Sequence, residues 1–415
     1  MEEVVSAQYG TVEPGTVEPG DAAEVIRTDL DAICAGADAE LSAMGGSRLL
    51  IVGGGGFLGH YLVQSVLHWN RAHPSTPISL TVWDNWIRGV PGWLEPLRSN
   101  ATLTLETVDI TSPLPADMPD FDFVIHAASI ASPIFYRQYP IETMDANVNG
   151  LRSLLEYSRA QSASGRALKG FLFYSTSEIY GDPTPDSIPT PETYRGNVSC
   201  TGPRACYDES KRYGETLCTA FVQVHGLQVT VARPFNNYGP GLRISDRRVI
   251  PDFARDIFAG RDITMLSSGS PTRTFCYITD AIVGYFKVLV RGRSGEAYNI
   301  GTETPEISMI ELADRLVAIA VADVGYTGRV IRAESDDPAY LTDNPNRRCP
   351  IIDKARVELG YEPVVGLEEG LRRAMLWYRE NTENTETAET GPVNHAPVNN
   401  DGAPVNTGPG IESPA

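Results

Sequence analysis

Tyr207 and Lys211 stand four apart in the run Gly202-Pro203-Arg204-Ala205-Cys206-Tyr207-Asp208-Glu209-Ser210-Lys211-Arg212. A helix beginning after Pro203 places positions i and i+4 on one face, so the Lys211 ammonium approaches the Tyr207 phenol. A phenol ordinarily ionises near pH ~10. A fixed cation and the positive ring of an oxidised nicotinamide both favour the phenolate and draw that value toward neutrality. Tyr207 is then a candidate base, taking a hydroxyl proton while a hydride leaves the same carbon for the nicotinamide. Most tyrosine–lysine pairs at this spacing are surface neighbours on a helix, so the surrounding elements must supply the context.

They do so upstream. Arg48-Leu49-Leu50-Ile51-Val52 reads as a strand, Gly53-Gly54-Gly55-Gly56-Phe57-Leu58-Gly59 follows it directly, and His60 to Trp69 reads as a helix. Strand, glycine turn and helix form the setting of a dinucleotide fingerprint, here spaced Gly-x-x-Gly-x-x-Gly. Gly53 allows the tight turn, Gly56 admits the pyrophosphate to the backbone, and Gly59 lets the helix pack closely. A second strand, Ile78 to Trp83, ends at Asp84. A carboxylate there accepts both adenosine ribose hydroxyls and repels a 2′-phosphate, which favours NAD over NADP. A third run ends at Asp109, facing the adenine edge, and a fourth, Phe121 to Ile125, leads into His126-Ala127-Ala128. His126 is expected to be a packed histidine and not a base. The expected NAD contacts are Gly53, Gly56, Phe57, Leu58, Gly59, Asp84, Asn85, Asp109, Ile110 and Ala128, with Tyr207 and Lys211.

The 415 residues, 42% of them hydrophobic, suffice for one large or two ordinary domains with a substantial core. No apolar stretch has membrane-spanning length. The six cysteines form no Cys-x-x-Cys pair, the pattern of reduced thiols in a cytoplasmic protein without a metal site. The net charge of -19 resides mostly at the ends: residues 1–46 carry ten acids against one arginine, and residues 380–415 six acids and no Lys or Arg. About -4 remains for the rest, which argues against a nucleic-acid partner. Both ends are expected to be largely disordered, although 22–44 has some helical periodicity.

A fifth strand, Gly170 to Tyr174, ends in Ser175-Thr176-Ser177-Glu178-Ile179-Tyr180-Gly181-Asp182-Pro183. With the Tyr207 run, Ala232-Arg233-Pro234-Phe235-Asn236-Asn237-Tyr238-Gly239-Pro240, Gly269-Ser270-Pro271-Thr272-Arg273-Thr274-Phe275 and Arg347-Arg348-Cys349-Pro350, this resembles the extended short-chain dehydrogenase/reductase superfamily and, within it, the UDP-glucuronate decarboxylase (UDP-xylose synthase) family. The match covers about 47 to 379.

The resemblance implies NAD-dependent oxidation of UDP-glucuronate at its 4-position, loss of carbon dioxide from the resulting β-keto acid, and reduction of UDP-4-keto-xylose to UDP-xylose. It implies catalytic roles for Thr176, Glu178, Tyr207, Lys211 and Arg348. Thr176 and Tyr207 would hold the 4-oxygen and stabilise the enolate; Glu178 and Arg348 would lie by the substrate carboxylate. Arg273 matches a nucleotide-binding arginine whose planar fork suits a diphosphate. Asn236 would contact the diphosphate or sugar, and Tyr136 and Arg243 complete the expected substrate contacts. Ser177 stands where 4,6-dehydratases of the superfamily carry an aspartate, and 4-epimerases generally have no glutamate at the next position. These two reactions remain the alternatives, with a dinucleotide-sensing regulatory protein as the non-enzymatic one. The chain departs from the family at Ile130 for proline and Phe135 for asparagine, in a loop bordering sugar and cofactor.

The expected fold is a Rossmann-type, doubly wound parallel sheet over 47–379 with a smaller, discontinuous substrate lobe mainly after 190. Apolar helices near 141–160 and 207–224 resemble the family's contribution to a homodimer interface.

Overall fold

The computed structural model describes residues 20–333, 335 and 342–381. Seven strands, β1 (Arg48–Val52), β2 (Ser79–Asp84), β3 (Leu103–Thr107), β4 (Phe123–His126), β5 (Gly170–Tyr174), β6 (Val229–Pro234) and β7 (Ala297–Ile300), form one sheet in the order β7-β6-β5-β4-β1-β2-β3. Every neighbouring pair is parallel. Parallel strands need crossovers, and helices on both faces explain why β4 and β5 are buried at every residue and do not alternate. Along β1, Leu49 and Ile51 enter the core on one face, Leu50 and Val52 the core on the other. The strand order reverses between β1 and β4, which opens a crevice at their carboxyl ends.

The expectation of a largely disordered leading segment fails for residues 22–44. They form helices α1 (Ala22–Gly36) and α2 (Asp38–Met44), and Val25, Ile33, Leu41 and Met44 are fully buried. Acid content misled because two of those acids are structural. Asp29 accepts from the Tyr61 hydroxyl at 2.5 Å, the Tyr277 hydroxyl at 2.8 Å and Arg373 Nη1 at 2.8 Å, and Glu40 meets Arg291 Nε at 2.5 Å. The expected disorder of 1–19 and of 382–415 lies outside the described residues; the final helix runs Leu367–Asn381.

Beyond β6 the chain builds small sheets outside the main one. Thr272–Arg273 lies between Ile307–Ser308 and Arg347–Arg348, Cys276–Tyr277 pairs with Asn237–Tyr238, and Ile263–Met265 pairs with Val330–Arg332. These discontinuous pieces lie in the stretch where the sequence placed the smaller lobe.

Candidate active site

The glycine loop sits at the strand-order reversal. A Cβ on Gly53 would lie 2.5 Å from the Ala128 nitrogen, and one on Gly59 2.1 Å from the Gly54 carbonyl oxygen. Gly53 therefore allows β1 and the chain after β4 to meet, whereas Gly59 packs the helix Phe57–Ala72 against the loop itself. Gly56 caps that helix without a side-chain hydrogen bond, which leaves first-turn amides available to an anion. Phe57 and Leu58 open the helix, half-buried. Asp84 accepts from the Gly55 amide through Oδ2 and from the Trp86 amide through Oδ1, each at 2.9 Å. Each oxygen keeps capacity for a ribose hydroxyl. Trp86, which carried no role in the sequence, spans from Gly55 to Thr107, whose hydroxyl accepts its indole N–H at 3.0 Å. Asn85 is exposed and caps its own turn by accepting from the Ile87 amide. Asp109 likewise accepts from the amide and hydroxyl of Thr111, and Ile110 is buried beside Gly150. Glycines with no room for side chains, an uncapped helix and a strand-end carboxylate together fit NAD.

Tyr207 and Lys211 lie on the helix Ala205–His225, and both are buried. Lys211 Nζ donates to the Tyr174 carbonyl at 2.7 Å and lies 5.8 Å from the centre of the Tyr207 ring. Burial pushes the Tyr207 phenol up to about 12; the Thr176 hydrogen bond opposes it, Glu178 and Asp208 raise it and Arg248 lowers it. Burial also lowers Lys211 to about 7. Among the protein's own groups desolvation disfavours phenolate and ammonium alike; the expected drift toward neutrality also draws on the positive nicotinamide ring, which lies outside this balance. Thr176, two residues past β5, caps the turn Ser177–Tyr180, its hydroxyl accepting from the Glu178 amide at 3.1 Å.

That cap aims Glu178 at two arginines. Arg348 donates through Nη1 to Oε1 at 2.5 Å and through Nη2 to Oε2 at 2.8 Å, and Arg204 Nη2 donates to Oε2. Burial raises the Glu178 carboxyl, but Arg204 and then Arg348 outweigh it and hold the group well below the usual carboxylate range. Arg204 also lies 5.9 Å from the centre of the Tyr136 ring, and Tyr136 stacks on Tyr207 with centroids 5.0 Å apart and planes at 6°. Tyr136, Thr176, Glu178, Tyr207 and Arg348 are thereby brought together.

The remaining candidates are placed differently. Arg273 is buried, with its fork on backbone carbonyls: Nη1 donates to Thr272 at 2.7 Å and Nη2 to Pro345 at 2.5 Å. Burial, followed by Arg348, lowers it to about 9. Asn236 donates to the Thr274 carbonyl at 2.8 Å. Arg243, just before the turn Ile244–Asp246, donates to the Arg88 carbonyl at 3.0 Å and so ties to the loop following β2. The divergent 129–136 segment is a loop only to Ser132; Phe135 sits on the short helix Pro133–Gln138, its ring 5.6 Å beneath the Arg88 guanidinium. His126 is buried, and burial lowers it to about 3.

Sequence reasoning missed Arg204 and Asp208, which stood within the Tyr207 motif without a role. It also missed Asn147, on an irregular turn at Asp145–Gly150, whose amide donates to Ser210 Oγ at 2.9 Å; Ser210 Oγ in turn donates to the Tyr207 carbonyl at 2.9 Å. Nothing local marks Asn147, since its partner lies on another helix.

Residues 49–301 match the model of the NAD dependent epimerase/dehydratase family. The chain is 36% identical over 324 residues to UDP-glucuronic acid decarboxylase 3 of Arabidopsis thaliana, covering 78% of this chain and 86% of the relative. It is 35% identical over 344 residues to UDP-glucuronic acid decarboxylase 1 of Xenopus tropicalis, covering 83% and 75%. Among solved structures, DesIV, a dTDP-glucose 4,6-dehydratase of Streptomyces venezuelae with NAD and TYD bound, is 26% identical with a TM-score of 0.70, covering 82% of this chain and 99% of that one. The seven-stranded parallel fold agrees with these relationships: the chain belongs to the NAD dependent epimerase/dehydratase family and, within it, to the UDP-glucuronic acid decarboxylases.

Proposed function

We propose that this protein converts UDP-glucuronate, through a UDP-4-keto-hexuronic acid, into carbon dioxide, UDP-4-keto-xylose and UDP-xylose. The observation that carries this reading is the single glutamate after Thr176 held between two buried arginines, Arg204 and Arg348. Glu178, Arg204 and Arg348 together bear one excess positive charge, the complement of a substrate carboxylate. Bound NAD supplies reversible oxidation at the 4-position.

The protein's own residues do the rest. Tyr207, as the phenolate that the nicotinamide charge favours, takes the 4-hydroxyl proton, and Thr176 holds the same oxygen. Substrate binding displaces water that would otherwise solvate the carboxylate. As carbon dioxide leaves, charge collects on the 4-oxygen, where the Tyr207 and Thr176 hydroxyls stabilise it. Lys211, fixed on the Tyr174 carbonyl, orients the phenol. Glu178 and Arg348 face the carboxylate and 5-position, where a proton must arrive afterwards. Asn236 and Arg273 serve the nucleotide, Arg273 exchanging carbonyl partners for phosphate oxygens.

The same reading includes a homodimer, because Ile141, Tyr213 and Val224 are 60%, 49% and 72% exposed on the helices 140–163 and 205–225. Light scattering at the mass of one chain counts against it. No described helix is long and apolar enough to cross a membrane, and all six cysteines are unpaired, which supports a reducing cytoplasmic setting.

Incubating the NAD-loaded protein with UDP-glucuronate should release carbon dioxide and form UDP-pentose. None released would overturn the reading and put dehydration or epimerisation first. Tyr207→Phe keeps the ring and loses the proton acceptor, so carbon dioxide release should fall at least ~10²-fold with NAD still bound; near-normal release removes Tyr207 from its role.

A further inference from the structure

Beside the Glu178 clamp lies a second carboxylate that the reaction as described leaves without a task. Asp208, one residue past Tyr207, is only 3% exposed, and its Oδ1 has no hydrogen-bond partner among the described residues. Two further buried polar atoms at the same place are unpartnered in the same sense, the Tyr136 hydroxyl and Arg204 Nε. Three unspent groups of donor and acceptor type around one ion-pair cluster mark a place built to receive a polar guest, because buried polar atoms are otherwise matched.

The charges around Asp208 come from every side. Glu178, on the turn after β5, and Asp343, on the strand-linking loop, act on it unfavourably; Arg204, at the start of its own helix, and Arg348, on the short strand Arg347–Arg348, act favourably. Tyr207 and Cys206 on its helix and Tyr136 across from it feel its charge in turn. Asp343 closes the outer side, packed so tightly on Gly202 that a Cβ there would lie 1.9 Å from its Oδ2. Glu209, the next acid on the helix, pairs outward with Arg212 at 3.6 Å.

We propose that Asp208 sets the charge of the carboxylate-reading cluster and thereby selects an acidic sugar. With Asp208 neutral, Glu178, Arg204 and Arg348 carry one net positive charge, and the substrate carboxylate completes the balance. With Asp208 ionised the four residues are already neutral, and a second anion in the same buried space is repelled. A carboxyl so buried, with Oδ1 unpartnered and the Glu178 carboxylate acting on it, keeps its proton well above the usual carboxylate range, so the cluster is receptive at neutral pH and closes to carboxylates in alkali. Asp208 is a positioning residue in this scheme, acting through the arginines.

The inference rests on the UDP-glucuronate reading and is tested separately from it. In the NAD-loaded enzyme, KM for UDP-glucuronate is measured from about pH 7 to about pH 9.5, with the inhibition constant of UDP-xylose, which carries the same nucleotide and no carboxylate. KM should rise roughly tenfold while the UDP-xylose constant stays within about twofold. In Asp208→Asn, locked neutral, the rise in KM should disappear. A change at Arg273, on the nucleotide side, would reach both ligands alike. Equal weakening of both ligands, no rise at all, or an undiminished rise in Asp208→Asn would each overturn the proposal. If the variant does not fold, the two ligands on the native protein decide alone. No carbon dioxide at any pH instead overturns the reading of the activity itself.

Discussion

Asp29 and Glu178 are both carboxylates withdrawn from water, and each joins parts of the chain far apart in sequence, yet their environments act on them in opposite directions. At Asp29 two tyrosine hydroxyls and one arginine donate, and burial still wins, pushing the carboxyl up to about 6. At Glu178 two arginines converge, and the group is held well below the usual carboxylate range. Hydrogen bonds occupy lone pairs in both cages; the difference is one full positive charge. Neutral donors satisfy a carboxylate without outweighing its desolvation, whereas a second guanidinium does outweigh it. The Asp29 cage fastens α1 to the helices Phe57–Ala72 and Leu367–Asn381, and the Glu178 cage keeps charge for a guest.

The comparison breaks if the Asp29 cage also serves the chemistry. Asp29→Ala leaves two buried phenols without their acceptor and Arg373 with Glu369 alone, so stability should fall by about 3–4 kcal/mol in denaturant melts, with kcat/KM per folded molecule unchanged. A comparable loss of kcat in the folded fraction would erase the distinction.

The Glu178 cage should show the reverse balance. Glu178→Gln and Arg348→Ala are each expected to slow carbon dioxide release about 10²-fold, roughly 2.7 kcal/mol, while UDP affinity stays within about threefold. Lost UDP binding with unchanged turnover of bound substrate would move both residues to nucleotide recognition.

The smallest effect is in pH dependence. Because the folded-state value of Asp29 lies above its unfolded value near 3.8, its contribution is fully present below that pH and is lost as pH rises through about 6. Asp29→Asn keeps an acceptor and removes the titration. The native protein minus the variant should therefore lose about 2 kcal/mol of stability between about pH 4 and about pH 7, and a flat difference would show that burial does not dominate at Asp29.

Signals carried within a few residues were legible in the chain: β1, the glycine turn and the following helix are contiguous, and Tyr207 and Lys211 meet because a helix brings i and i+4 together. The parallel sheet was legible through the strand–turn–helix fingerprint, which is the start of a parallel crossover, whereas the full burial of β4 and β5 is a result of helices on both faces. The family motifs named Glu178 and Arg348, but their contact spans 170 positions, and Arg204 completes it from a third segment. Ion pairing depends on distance in space, and composition could not separate the solvated acids of residues 20–46 from Asp29 and Glu40, which are buried against cations. Side-chain type likewise left the aim of Arg273 open. Its guanidinium can hold phosphate or carbonyl oxygens equally well by geometry, and only the packing of Thr272–Arg273 beside residues 344–348 turned it toward the backbone.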